Sequence, residues 1–131
     1  MYRDLLPLAN KLGLIFQIRD DYQNLQSKNY TDNKGFCEDL SEGKFSFLII
    51  HSIRSNPNDH QLLNILRQRS TEYSVKCHAV RYMESTDSFS YCRKKLLRLL
   101  QEARNMVDET MVDGLGDEIL RLLGYLDLSE E

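Results

Sequence analysis

Two adjacent carboxylates, Asp20 and Asp21, stand between Gln17, three residues upstream, and Asn24, three residues on. At helical spacing these four side chains share a polar wedge about a quarter to a third of the circumference wide. Such a wedge can hold a divalent cation. Mg²⁺ prefers oxygen ligands and commonly takes one or two protein carboxylates, leaving its other positions to water and phosphate oxygens. Two acids alone bind the ion weakly, so its affinity would rise when a diphosphate joined it, and lysines near the phosphates would offset the remaining charge. Lys34 and Lys44 lie downstream, in reach of the same ligand if the chain turns back. Against this stands a plainer reading: an aspartate pair on a helix, or a lysine in a loop, is ordinarily solvated. What sets the pair apart is its setting. Leu5, Leu8, Leu12, Ile15 and Phe16 occupy the far side of the helix, with Leu14, Ile18 and Leu25 beside the wedge, so the helix reads as an inner one whose acids face a cavity.

The elements that must position these groups are helical. Apolar residues at steps of three and four predict a first helix over Leu5 to Leu25, opening after Asp4 as a cap. Residues 26–43 are polar, contain Gly35 and Gly43, and read as a loop or broken helical segment returning Lys34 and Lys44 toward that helix. Residues 44–53 are rich enough in isoleucine and phenylalanine for a buried strand, but their helical neighbours favour a buried helix. Asn58 or Asp59 caps a short helix through Arg69, and Ser74 starts another over Val75 to Met83. Ser88 begins a longer one with Tyr91, Leu96, Leu99, Leu100, Ala103 and Val107 inward and Lys94, Lys95, Arg98 and Arg104 outward. Gly114 and Gly116 are expected to end it, Asp117 to cap a final helix to Tyr125, and residues 126–131 to fray. The expected fold class is all-α.

Composition sets limits on partners. The chain has 131 residues, 41% hydrophobic and 28% charged, and a formal net charge of -3. That length suits one ordinary domain, and that charge gives no general attraction to nucleic acid or anionic lipid. Cys37, Cys77 and Cys92 have neither paired nor metal-ligand spacing and read as free thiols of a reducing compartment, so a cytoplasmic location is expected. No secretory signal and no stable membrane insertion are expected. His51, His60 and His78 share no ligand spacing and read as structural; Glu38, Asp39 and Glu42 could ligate a cation but lack a calcium-loop pattern, and read rather as solvating the loop or capping the next helix.

The stretch Leu12 to Leu25, followed by Asn33-Lys34-Gly35-Phe36-Cys37-Glu38-Asp39-Leu40-Ser41-Glu42-Gly43-Lys44-Phe45-Ser46-Phe47, resembles the second half of the trans-isoprenyl diphosphate synthases, among them most the geranylgeranyl diphosphate synthases. The resemblance joins an aspartate-rich motif, Asp20 to Asn24, to a Glu-Gly-Lys-Phe-Ser-Phe segment, continues at residues 64–69, and weakens toward the carboxyl terminus. It implies an isoprenoid-synthase-type helical bundle, with residues 1–131 as the carboxyl-terminal part of a polyprenyl synthetase domain. The implied activity is Mg²⁺-dependent condensation of isopentenyl diphosphate with an allylic diphosphate, farnesyl to geranylgeranyl. By position, Asp20, Asp21 and Asn24 would be metal ligands, Gln17, Lys34 and Lys44 would contact the allylic diphosphate, and Asp20, Asp21 and Lys44 would serve catalysis.

This sequence departs from the pattern in two ways. Asp20-Asp21 is its only adjacent aspartate pair, so the first aspartate-rich motif and the basic residues that grip isopentenyl diphosphate are lacking; and Leu48 stands where close relatives typically have proline. The chain therefore reads as a fragment, a truncated product or a shortened relative, inactive alone. Two other readings compete: a non-catalytic protein that binds a complete prenyl synthase, and the prenyltransferase part of a larger terpene synthase. A homo-oligomer or a complex with a full-length synthase is expected.

Overall fold

A computed structural model describes residues 5–26, 37–110 and 114–127. The fold is all-α: α1 (Leu6–Leu25), α2 (Glu38–Glu42), α3 (Phe47–Ser55), α4 (Gln61–Gln68), α5 (Tyr73–Ser85), α6 (Ser88–Thr110) and α7 (Gly114–Leu126), with no strand among the described residues. No helix among them is long and apolar enough to cross a membrane. The contacts divide the chain into two units, residues 20–92 and residues 1–19 with 93–131, so α1 and α6 each contribute to both.

In the unit of residues 20–92, α2 packs on α4, and α3, α4 and α5 pack on one another. Its core is made by Tyr22 and Leu25 from α1, Leu40 from α2, Leu48 and Ile49 from α3, Leu62 and Leu66 from α4, and Ala79 and Met83 from α5, all buried. Leu48, Ile49 and Ser52 face inward at helical steps, which is why the β-branched run over residues 47–53 is a helix. A fully buried leucine or isoleucine contributes roughly 1.5–3 kcal/mol, so this periodicity outweighs local β preference. Leu48, at the second helical position, leaves the start of α3 intact.

In the other unit, Leu8, Ile15 and Ile18 of α1, Leu96, Leu99, Leu100, Ala103 and Val107 of α6, and Leu123 and Leu126 of α7 are buried. The Lys11 ammonium pairs with Glu102 at 2.5 Å, and the Arg19 guanidinium lies over the Tyr125 ring at 5.3 Å. Leu14 and Phe16 remain 46% and 47% exposed, so α1 is less completely enclosed than its apolar pattern suggests.

Several expectations need correction. Gly114 opens α7 rather than terminating α6. Asp117 sits in the first turn of α7, and Leu126 is its buried last residue rather than the start of a frayed tail. Tyr91, expected inward, is 46% exposed and stacks on His51 with ring centroids 4.1 Å apart. The helix expected over 75–83 runs from Tyr73 to Ser85. The capping expected from Asp59 is present two residues before the start of α4: Asp59 Oδ1 accepts the Gln61 N–H at 3.2 Å, and Asp59 Oδ2 accepts the Gln61 side-chain amide at 2.8 Å.

Candidate active site

The last turn of α1 supplies side-chain acceptors to two later helices. A helix leaves its first N–H groups without internal partners, and a side-chain oxygen normally satisfies one of them. At the start of α3 the local candidate, Ser46, makes no such bond. Asp21 takes that place from α1: its Oδ2 accepts the Phe47 N–H at 3.0 Å. At the start of α2, Cys37 occupies the capping position in the left-handed region, φ 51°, again with no side-chain bond. Asn24 Oδ1 accepts the Asp39 N–H there at 3.0 Å. The three-residue step from Asp21 to Asn24 thus places consecutive acceptors on one helix face, one for each neighbouring helix.

The other oxygen of Asp21 holds a lysine. Lys44 Nζ donates to Asp21 Oδ1 at 3.1 Å and lies 4.0 Å from Asp39 Oδ1. Asp21 is 3% exposed and Asp39 5%, whereas the Lys44 side chain keeps 38% of its surface open. The hydrogen bond to Asp21 raises the Lys44 pKa, so the ammonium stays charged at physiological pH. Burial acts the other way on Asp39, whose carboxyl is pushed up to about 6 despite the nearby ammonium.

Lys44 reaches this position through the end of α2. Gly43 adopts φ 68° and donates its N–H to the Leu40 carbonyl at 3.2 Å, and the Lys44 N–H reaches the Asp39 carbonyl at 2.9 Å. These are the paired bonds of a Schellman ending, which turns the chain sharply and delivers the next side chain back over the helix. A Cβ on Gly43 would come within 2.9 Å of Arg69 Nε, so both backbone angle and space favour glycine there.

Of the six residues expected in the site, Asp20, Asp21, Asn24 and Lys44 lie in the unit of residues 20–92. Gln17 lies one turn earlier on α1 and is exposed. Lys34 lies outside the described residues. Asp20 is exposed, and no hydrogen bond or ion pair joins it to another described residue. Its carboxylate is thus engaged by no described residue.

No group of three or more histidine, cysteine, aspartate or glutamate side chains is gathered for a metal among the described residues. An ion that takes most of its ligands from phosphate and water needs no such group, and the exposed carboxylate of Asp20 fits that donor set. Asp39, expected to solvate the loop or cap the next helix, is instead buried beside Lys44. The signal for it was the five-residue step from Asp39 across Gly43 to Lys44, which a glycine-terminated helix folds into contact.

The all-helical fold of the described residues belongs to a known class of sequence. Residues 1–83 match the Polyprenyl synthetase family, and the chain belongs to that family. Among its relatives, a geranylgeranyl pyrophosphate synthase of Aspergillus flavus is 65% identical over 113 residues, 86% of this chain and 33% of that protein. One from Gibberella zeae is 60% identical over 117 residues, 89% of this chain and 32% of that protein. One from Penicillium canescens is 52% identical over 126 residues, 96% of this chain and 38% of that protein. The chain spans about a third of the length of the curated relatives it matches.

Proposed function

We propose that residues 1–131 form the carboxyl-terminal part of a polyprenyl synthetase domain and act in prenyl chain elongation, the condensation of isopentenyl diphosphate with an allylic diphosphate, farnesyl to geranylgeranyl, in the cytoplasm. The observation that carries this reading is Lys44, held by Asp21 at 3.1 Å and lying 4.0 Å from Asp39, with the exposed Asp20 next to Asp21 in the chain. Asp20 would hold Mg²⁺ directly. Asp21 and Asn24, also candidates for the metal, have oxygens engaged by Lys44, Phe47 and Asp39 and would chiefly fix the helices around it. When bound, Mg²⁺ would neutralise charge on the departing diphosphate. Lys44 binds the same anion as a preorganised donor, since its ammonium is already placed before substrate arrives. Gln17 and Lys34 would add contacts to the allylic diphosphate.

Because the chain carries one aspartate pair, it would contribute half a site and be inactive alone. Incubated with Mg²⁺, farnesyl diphosphate and isopentenyl diphosphate, the chain should yield no geranylgeranyl diphosphate, and appreciable product refutes the half-site. Calorimetric titration with inorganic diphosphate should show binding that requires Mg²⁺ and disappears in Asp20→Ala; equal binding by that variant removes the aspartate from the site.

A second reading, a non-catalytic protein that binds a complete prenyl synthase, draws on the exposed Leu6, Leu14 and Phe16 of α1 and Leu5 just before it. Solution mass with and without a full-length relative separates the two: a complex favours this second reading, and two unassociated species reject it.

A further inference from the structure

Of the two buried acids beside Lys44, Asp39 is nearly as enclosed as Asp21 and the less satisfied. Its Oδ2 is buried and has no hydrogen-bond partner. A carboxylate oxygen left in that state costs stability, and an asparagine or a leucine at this position would avoid the charge. The main chain of the residue is, by contrast, fully tied. Its N–H goes to Asn24 and its carbonyl accepts the Lys44 N–H at 2.9 Å. Those bonds are indifferent to the side chain, so the fold does not explain an acid here. Lys44 does, because its ammonium lies 4.0 Å from Asp39 Oδ1 on one side and 3.1 Å from Asp21 Oδ1 on the other.

We propose that Asp39 is a positioning residue: with Asp21 it confines the Lys44 ammonium, so that the open part of that group is aimed at an incoming diphosphate before the ligand arrives. The inference rests on the reading of the site as a Mg²⁺-diphosphate site. An ammonium on a four-carbon stem is otherwise free to swing, and ordering it in advance removes an entropic cost from binding. A single acid fixes a distance; two acids also fix a direction. The same acid, judged only as a charge near the ligand, would repel a diphosphate, so the two accounts predict opposite signs when the charge is removed.

The test uses the whole chain. NMR relaxation of the Lys44 Cε methylene reports its order, and calorimetry with Mg²⁺ and inorganic diphosphate reports affinity, for wild type, Asp39→Asn, Lys44→Met and the double variant. Asp39→Asn should fold, loosen Lys44, and weaken diphosphate binding about two- to fivefold, the range of a half-exposed ion pair. In the Lys44→Met background it should change nothing further. Unchanged or tighter binding by Asp39→Asn, or an equal loss with and without Lys44, overturns the proposal. If the wild-type chain binds no diphosphate, the reading of the site fails, and the Lys44 relaxation alone still decides the role of Asp39. Should Asp39→Asn fail to fold, Asp39→Glu, which shifts the charge, must loosen Lys44, and a Lys44 as ordered as in wild type overturns the proposal.

Discussion

The two neighbouring aspartates should behave as opposites when each is replaced by alanine. Asp21→Ala removes the acceptor of the Phe47 N–H, and a lost cap costs about 1 kcal/mol. It also removes the partner of Lys44. A fully buried pair broken this way costs roughly 3–5 kcal/mol, but 38% of the Lys44 side chain is open, so its ammonium can rehydrate and the cost falls to about 1–2 kcal/mol. Together these give about 2–3 kcal/mol, or a Tm lowered by about 6–12 °C for a domain of this size. Asp21→Asn keeps an acceptor for Phe47 and loses only the charge, so about half that shift is expected. Asp20→Ala, at an exposed position with no partner among the described residues, should stay within about 0.5 kcal/mol of wild type while losing Mg²⁺-dependent diphosphate binding. Thermal unfolding followed by circular dichroism, paired with calorimetry, reads both properties. Equal Tm losses for Asp20→Ala and Asp21→Ala, or an unchanged Tm for Asp21→Ala, would refute this division of roles.

Three further outcomes are expected. Gly43→Ala forces a left-handed angle on a residue with a Cβ and crowds Arg69, so chemical denaturation should show a loss of about 1–2 kcal/mol. Burial lowers the His51 pKa from its ordinary value of 6.5, so the native state resists protonation there: the stability His51 contributes is complete above pH 6.5 and is lost as pH falls below it. His51→Gln should flatten that part of a stability-versus-pH curve, and an unchanged slope counts against the assignment. Burial pushes the Cys37 thiol up to about 12, so iodoacetamide at pH 8 should modify the half-buried Cys77 first and reach Cys37 only on unfolding, as peptide mass spectrometry can show.

The helical class was readable because Leu48, Ile49 and Ser52, like Leu96, Leu99, Leu100 and Ala103, recur at steps that only a helix turns to one side. The return of Lys44 toward the first helix was readable from the polar, glycine-bearing segment between them, whereas its ion pair with Asp21 was not. What could not be read was which oxygen goes to which group. Asp20 and Asp21 are chemically identical and adjacent, and only the approach of α3 makes one a buried acceptor and leaves the other open. Asp39 was misread because acids in a polar stretch are usually solvated, and its enclosure depends on Leu40 and Gly43 folding five residues into α2. Gly114 and Gly116 were misread because glycine punctuates helices at either end, and local sequence does not say which.

Two short helices that begin on side chains borrowed from an earlier one cannot mature separately. The amides at the head of α2 and of α3 find their acceptors only once Asp21 and Asn24 have docked, so residues 37–55 excised as a peptide should be largely unstructured. Folding of this region is thereby made cooperative across a gap in sequence, and any graft of these helices into another protein must carry the closing turn of α1 with it.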